Sequence, residues 1–162
     1  MAGVTNGSKI EDLRTYLAGL GNNGYNAFQT LMKALSGDFV LKVTPATATP
    51  APTAAAWTQA AVVTLETADG EVHEWYNGPV TLAIADTSTA GTASITPAAG
   101  AHNMTNGQLA VTIAGDAAAW LATETVTLTA SMADQDASGD TDKNLFGKAV
   151  ADKTCVLTFT AP

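Results

Sequence analysis

The spacing of hydrophobic positions along this chain changes once, near Gly37. Before that point Ile10, Leu13, Leu17 and Leu20 recur three or four residues apart, which places them in one stripe on a helix of about three turns. Ser8 and Glu11 stand at capping-box spacing, so each side chain satisfies a backbone N–H that the first turn leaves free. Gly19 and Gly21 end the helix, and Gly21-Asn22-Asn23-Gly24 is turn chemistry because both residue types tolerate positive φ. A second stripe follows in Tyr25, Phe28, Leu31, Met32 and Leu35, with Gly37 as its stop. Residues 1–37 are therefore expected to form a short α-helical hairpin. A hairpin of about 30 residues buries too little surface to stand alone, so its apolar stripes need a partner.

After Gly37 the period is two. Expected strands are 39–44, 57–67, 71–77, 80–85, 92–96, 108–114, 124–131 and 153–161. Alternation is clean in Val80, Leu82 and Ile84, in Leu109, Val111 and Ile113, in Val126 and Leu128, and in Cys155, Leu157 and Phe159. The opposite face of these strands is mostly Thr and Ala. Turn signals at Ala68-Asp69-Gly70, Asn77-Gly78-Pro79, Asn106-Gly107 and Gly115-Asp116 separate them. Short strands at this spacing without intervening helices predict an antiparallel β-sandwich over residues 38–162, of the immunoglobulin-like kind. Pro45, Pro50 and Pro52 make residues 45–56 either a linker or an irregular edge strand, and the strand-like 39–44 just before them favours the edge.

Composition narrows the function more than the fold. The chain has 162 residues, 46% hydrophobic and 14% charged, which suits one domain with an appendage. No apolar run is long enough to span a bilayer, and MAGVTNGSKIEDL lacks the basic start and apolar stretch of a signal peptide, so a soluble product of a cytoplasm is expected. A single cysteine, Cys155, leaves no internal disulfide and alternates with Leu157 and Phe159, which reads as a small buried hydrophobe. The net charge is −8; residues 1–37 carry three cations against two carboxylates, or +1, which leaves −9 for the rest. An acidic distal part repels nucleic acid and anionic membrane, so neither is an expected partner.

Candidate chemistry is sparse. The two histidines, His73 and His102, lie in no catalytic motif, and His73 is expected at a solvated or edge position. His73-Glu74 has no second histidine at metalloprotease spacing, and no phosphate loop, dinucleotide fingerprint or nucleophile elbow occurs. Neither enzymatic activity nor a cofactor is expected. In the run 134–142, Asp134, Asp136, Ser138 and Asp142 take the first, third, fifth and ninth positions of a calcium loop, with Gly139 at the sixth and Asp140 beside it. The twelfth position, which should supply a bidentate carboxylate, is Leu145. That leaves a weak calcium loop or a solvated acidic loop, which calorimetric titration with calcium separates. Trp120 is expected to plug one end of the core. Trp75 and Tyr76 face opposite ways on their expected strand, so one is buried and the other, taken as Trp75, is an exposed contact for a ligand such as a glycan.

The distal sequence resembles the late strands of bacterial and phage immunoglobulin-like domains, in MTNGQLAVTI from Met104 to Ile113 and TETVTLTAS from Thr123 to Ser131. GKAV from Gly147 to Val150 and KTCVLTFT from Lys153 to Thr160 are similar in style to their closing strand. A helical N-terminal segment followed by one such domain resembles the capsid decoration proteins and head fibres of tailed bacteriophages. The resemblance implies a structural virion protein, made in a bacterial host's cytoplasm and placed on the outer capsid surface. Its N-terminal part would bind the major capsid protein while the sandwich projects outward, stabilising the shell and contacting host surfaces. No residue-level capsid-binding motif transfers. The docking or self-association residues are instead those of the stripes and their charge, Ile10, Leu13, Arg14, Leu17, Leu20, Tyr25, Phe28 and Leu31. Two other functions fit the same residues: a trimeric head-fibre stem built on the Leu13, Leu17, Leu20 seam, and a glycan-binding adhesion module.

Overall fold

The computed structural model describes residues 39–132, 144–145 and 148–160. The expected helical hairpin over 1–37, with all eight of its candidate docking residues, and the acidic run 134–142 lie outside them.

The described residues form strands β1 (Val40–Thr44), β2 (Thr47–Ala48), β3 (Trp57–Glu66), β4 (Pro79–Asp86), β5 (Ala93–Thr96), β6 (Gly100–Asn103), β7 (Gln108–Gly115), β8 (Thr125–Met132), β9 (Asn144–Leu145), β10 (Lys148–Ala149) and β11 (Lys153–Thr158). They make two sheets, ordered β1-β3-β7-β5 and β2-β11-β8-β4-β6, plus the small β9–β10 hairpin. Every pairing among them is antiparallel except β2 against β11.

Period-two alternation closes the two sheets on one core. In β8, Val126, Leu128, Ala130 and Met132 are wholly buried while Thr125, Thr127, Thr129 and Ser131 face outward. Ala61, Val63 and Leu65 of β3, Val111 and Ile113 of β7, Val80 and Leu82 of β4, and Cys155 and Leu157 of β11 join the same cluster. Burial also pushes the Cys155 thiol up, as expected of an inert core cysteine.

Two segments cross from one sheet to the other. The chain leaves β1 at Thr44, passes Pro45 and joins the second sheet as β2; it leaves β5 at Thr96, passes Pro97 and rejoins the second sheet as β6. Both Thr–Pro peptide bonds are cis. Residues 45–56 thus contain an edge strand. A linker would have no fixed register, whereas here Thr47 and Ala48 pair with Val156 and Leu157. The Val156 N–H donates to Ala46 O at 2.9 Å and the Thr160 N–H to Pro50 O at 3.0 Å.

Besides the short β2, β9 and β10, which are not among the expected strands, the structure departs from them in two places. Residues 71–77 do not form one: only Val72 makes an isolated bridge, to Glu66. The Glu74 N–H donates to Val72 O at 2.9 Å and the Tyr76 N–H to His73 O at 2.8 Å, so the segment curls through local turns. Conversely β6 pairs with β4 although Gly-Ala-His-Asn has no apolar alternation to reveal it.

At the tip between β6 and β7, Asn106 and Gly107 both adopt positive φ, 50° and 71°, as a two-residue hairpin turn requires. The Gly107 N–H donates to Tyr76 O at 2.7 Å, and a Cβ there would meet His73 O at 2.5 Å.

Two outcomes are expected from this packing. Leu128→Ala should lower unfolding free energy in urea by about 2–5 kcal/mol, whereas Thr127→Ala on the outward face should change it by less than about 0.5 kcal/mol. Cys155 should be inert to a thiol reagent in the native protein and react at once in denaturant; rapid native labelling would contradict its place in the core.

Candidate functional site

Strand register gives the sandwich two dissimilar ends. Val40 pairs with Glu66 and Thr64 with Gln108 at one end of the first sheet, and Val80 pairs with Met132 at the same end of the second. Backbone bonds from Met104 N–H to Gly78 O and from Gly107 N–H to Tyr76 O tie the loops here together. Because Phe39 leads into β1 at this end, it is the root end. At the opposite, far end, Trp57 pairs with Gly115, Ala93 with Gly115, and Thr158 with Thr125.

The root end holds an aromatic cluster. Phe39 sits against His73, with ring centroids 4.9 Å apart, and against Trp75 at 6.1 Å in an edge contact. His73 and Trp75 are 5.4 Å apart, and Trp75 meets Tyr76 edge-on at 5.9 Å. The Tyr76 hydroxyl donates to Pro79 O at 2.9 Å. His73 is 4% exposed, which corrects the expectation of a solvated position: without a strand over 71–77, the turns bring His73 and Tyr76 inward together. Trp75 is half-buried and packs against the core, so it presents less surface than an exposed ligand contact would. Asp69, Glu71, Glu74 and Asp152 are exposed around this end, with Lys153 beside them.

A second charged group lies on the outer face just inside the root end. Glu66 accepts from the Thr64 hydroxyl at 2.6 Å and from Lys42 Nζ at 3.2 Å, which joins edge strand β1 to β3. The Lys42 side chain is 53% exposed, so solvent screening leaves this pair worth at most about 1 kcal/mol. It helps hold β1 in place without contributing much to stability.

The far end is closed. Trp120, 1% exposed, stacks on Phe159 at 5.3 Å and meets Trp57 edge-on at 5.2 Å, as a core plug should. Its Nε1 donates to Asp116 O at 3.2 Å, and its backbone exchanges two hydrogen bonds with Thr53. Trp57 Nε1, pressed against Gly115, is buried with no hydrogen-bond partner among the described residues. Three carboxylates tie the loops by accepting backbone N–H groups. Asp86 accepts from Ser88 and Ala93, Asp116 from Thr92, and Glu124 from Leu121 at 2.8 Å and Thr89 at 3.3 Å. The Leu121 N–H is the main reason the Glu124 carboxyl lies below its ordinary range, with the Thr89 N–H and Ser88 adding to it against the opposing effect of desolvation. Thr123, β-branched with φ 76°, is held in this unfavourable conformation by its N–H bond to Phe159 O at 2.7 Å.

No group of three or more His, Cys, Asp or Glu side chains among the described residues could hold a metal ion. His102, the second histidine, donates from Nε2 to Ala98 O at 2.6 Å. No described helix is long and apolar enough to cross a membrane. Sequence reasoning misses Phe39 as the root of the cluster and Glu124 as the organiser of the far end. The first is legible as an aromatic beginning a strand, whereas the second depends on loop geometry that no local pattern encodes.

No family model and no curated protein matches this chain. Among solved structures, it is similar to WR4, a C. elegans MSP family member, at 10% identity over 74% of this chain and 97% of that one, with a TM-score of 0.42. It is also similar to SSP-19, an MSP-domain protein like family member in Caenorhabditis elegans, at 14% identity over 74% and 99%, TM-score 0.40. A conjugative transposon lipoprotein from Bacteroides eggerthii gives 11% identity over 75% and 93%, TM-score 0.35. None of these likenesses lends the chain a function.

The Glu124 carboxylate makes the far end acid-sensitive. A carboxyl held below its unfolded value contributes stability that is full above that value and is lost as pH falls through the folded one. Glu124→Gln should therefore melt at a lower temperature than the parent near neutral pH, and the gap should narrow as pH falls below 4.5, the ordinary value for this group. Melting curves across that range check it, and a pH-independent gap would contradict it.

Proposed function

We propose that this protein is a non-catalytic structural component of a tailed-phage virion, attached to the outside of the capsid by its N-terminal segment and displaying an immunoglobulin-like domain. The observation that carries this reading is the polarity of the sandwich. Its N-terminal segment joins at one end, through the buried Phe39, and the other end is sealed by Trp57, Trp120 and Phe159. Such a layout suits a body held at one end and presented at the other. The division of charge supports it, since the N-terminal 37 residues carry +1 and the remainder −9. Docking through the near-neutral apolar stripes while an acidic sandwich stays in solvent keeps copies from sticking to one another. The immunoglobulin-like assignment draws support from strand order, with β1, β3, β7 and β5 in one sheet and β4, β8 and β11 central to the other.

Co-sedimentation with empty capsids of the phage that encodes the chain tests the reading. The full chain should pellet with the shells, and Leu13→Asp with Leu17→Asp should abolish pelleting while the melting temperature of the sandwich stays unchanged. Failure of the parent chain to pellet would refute it.

A further inference from the structure

We infer that edge strand β6 is a pairing site for β6 of a second copy of this chain, the two strands running antiparallel about a twofold axis at His102. Among the described residues, the other three edges of the two main sheets are each obstructed. β1 has Leu41 and Val43 only 1% and 3% exposed and carries Lys42. β2 is two residues long and stands between Pro45 and Pro50. On β5 the Ala93 N–H is taken by Asp86 Oδ2 at 3.0 Å. β6 has no such guard: Gly-Ala-His-Asn contains neither proline nor a lysine or carboxylate, and Ala101 and Asn103 are exposed.

Register fixes what this edge offers. The Met104 N–H donates to Gly78 O at 3.0 Å, and bonded pairs alternate along an antiparallel ladder, so Val80–His102 and Leu82–Gly100 are the bonded pairs of β4 and β6. Ala101 and Asn103 therefore turn their N–H and C=O groups away from β4, and no described residue bonds them there. The strand is its own complement. With Ala101 opposite Asn103 of the second copy, and Asn103 opposite its Ala101, all of these groups pair, and the two His102 residues face each other at the non-bonded position between. Gly100 and Ala101 are small enough for close approach, and β6 carries no carboxylate or lysine, so acidic copies meet there without like charges in contact. His102 Nε2 donates to Ala98 O at 2.6 Å, which engages each ring within its own copy. A four-residue seam buries far less than the roughly 1,200–2,000 Å² of stable complexes, so the pairing is weak in dilute solution and forms where copies stand close together. It does not depend on the capsid reading.

Disulfide trapping of the full chain at high concentration tests the seam. His102→Cys places two thiols at a non-bonded pair, where Cα atoms stand about 4.5 Å apart, whereas Ala101→Cys sets them on a diagonal of about 7–8 Å. Mild oxidation should therefore cross-link His102→Cys about tenfold faster than Ala101→Cys, with the buried Cys155 taking no part. Ala101→Pro removes one outward N–H and leaves the bonds to β4 intact, so adding it to His102→Cys should abolish the cross-link with little change in melting temperature. If Ala101→Pro does melt early, the ratio of the two cysteine variants decides alone. Leu13→Asp with Leu17→Asp should leave the cross-link in place. Absence of a cross-link in His102→Cys overturns the inference, as do equal rates for the two cysteine variants or a cross-link that survives Ala101→Pro in a folded chain, which would mark chance collision of exposed thiols. So does its loss in the Leu13, Leu17 variant, which would assign the association to the N-terminal segment.

Discussion

The edges of a β-sheet leave rows of backbone N–H and C=O groups unpaired, and the architecture of this protein follows from how it disposes of four of them. Among the described residues, two segments supply all four edge strands of the two main sheets, each crossing between the sheets so that it gives one to either side. β1 and β2 close one side of the sandwich, β5 and β6 the other. These edge strands run for only 5, 2, 4 and 4 residues, against 10, 8, 8, 8 and 6 in the strands that lie between them. Proline stands at both crossings, where its lack of an N–H removes one donor that an edge would otherwise expose. Lys42 adds a charge to the longest edge and is pinned there by Glu66.

Between those edges, stability comes from the apolar interior. Each fully buried Val, Leu or Ile contributes about 1.5–3 kcal/mol, more than the Lys42–Glu66 pair as a whole. With no disulfide available to the lone Cys155, the interdigitated faces of β3, β7, β4, β8 and β11 hold the fold. The ends then differ in what they add. At the far end carboxylates and loop backbones form a closed hydrogen-bonded cap, whereas at the root end aromatic rings pack around the point where the chain emerges.

Much of this is legible in the sequence, for reasons that can be named. Where one face is buried and the other wet, period-two alternation survives in the residues, so β4, β7, β8 and β11 are predicted within a residue or two of their observed bounds at most termini. Cys155 is placed correctly because Leu157 and Phe159 alternate with it, and Trp120 because a large aromatic just before a strand falls at the end of the core. The misses share a cause: they depend on contacts made elsewhere in the fold. β6 is held by its hydrogen bonds to β4 while its own side chains carry no pattern, and residues 71–77 look strand-like yet curl after Val72 into local turns, where the Tyr76 carbonyl takes the Gly107 N–H at 2.7 Å. The proline-rich stretch after Thr44 leaves linker and edge strand both open in sequence terms, since only pairing with β11 distinguishes them.

The parallel pairing of β2 with β11 has a mechanical consequence. Phe39 emerges at one end of the sandwich and Thr160 at the other, so tension applied between the two termini drives β2 and β11 in opposite directions along their common axis. Their bonds, from Val156 N–H to Ala46 O and from Thr160 N–H to Pro50 O, are then sheared together instead of peeling one after another. Survival under such a pull is set by the unfolding rate, not by equilibrium stability. A domain held at one terminus and tugged at the other would therefore load the β1–β3 pairing and this short parallel seam before the central strands give way.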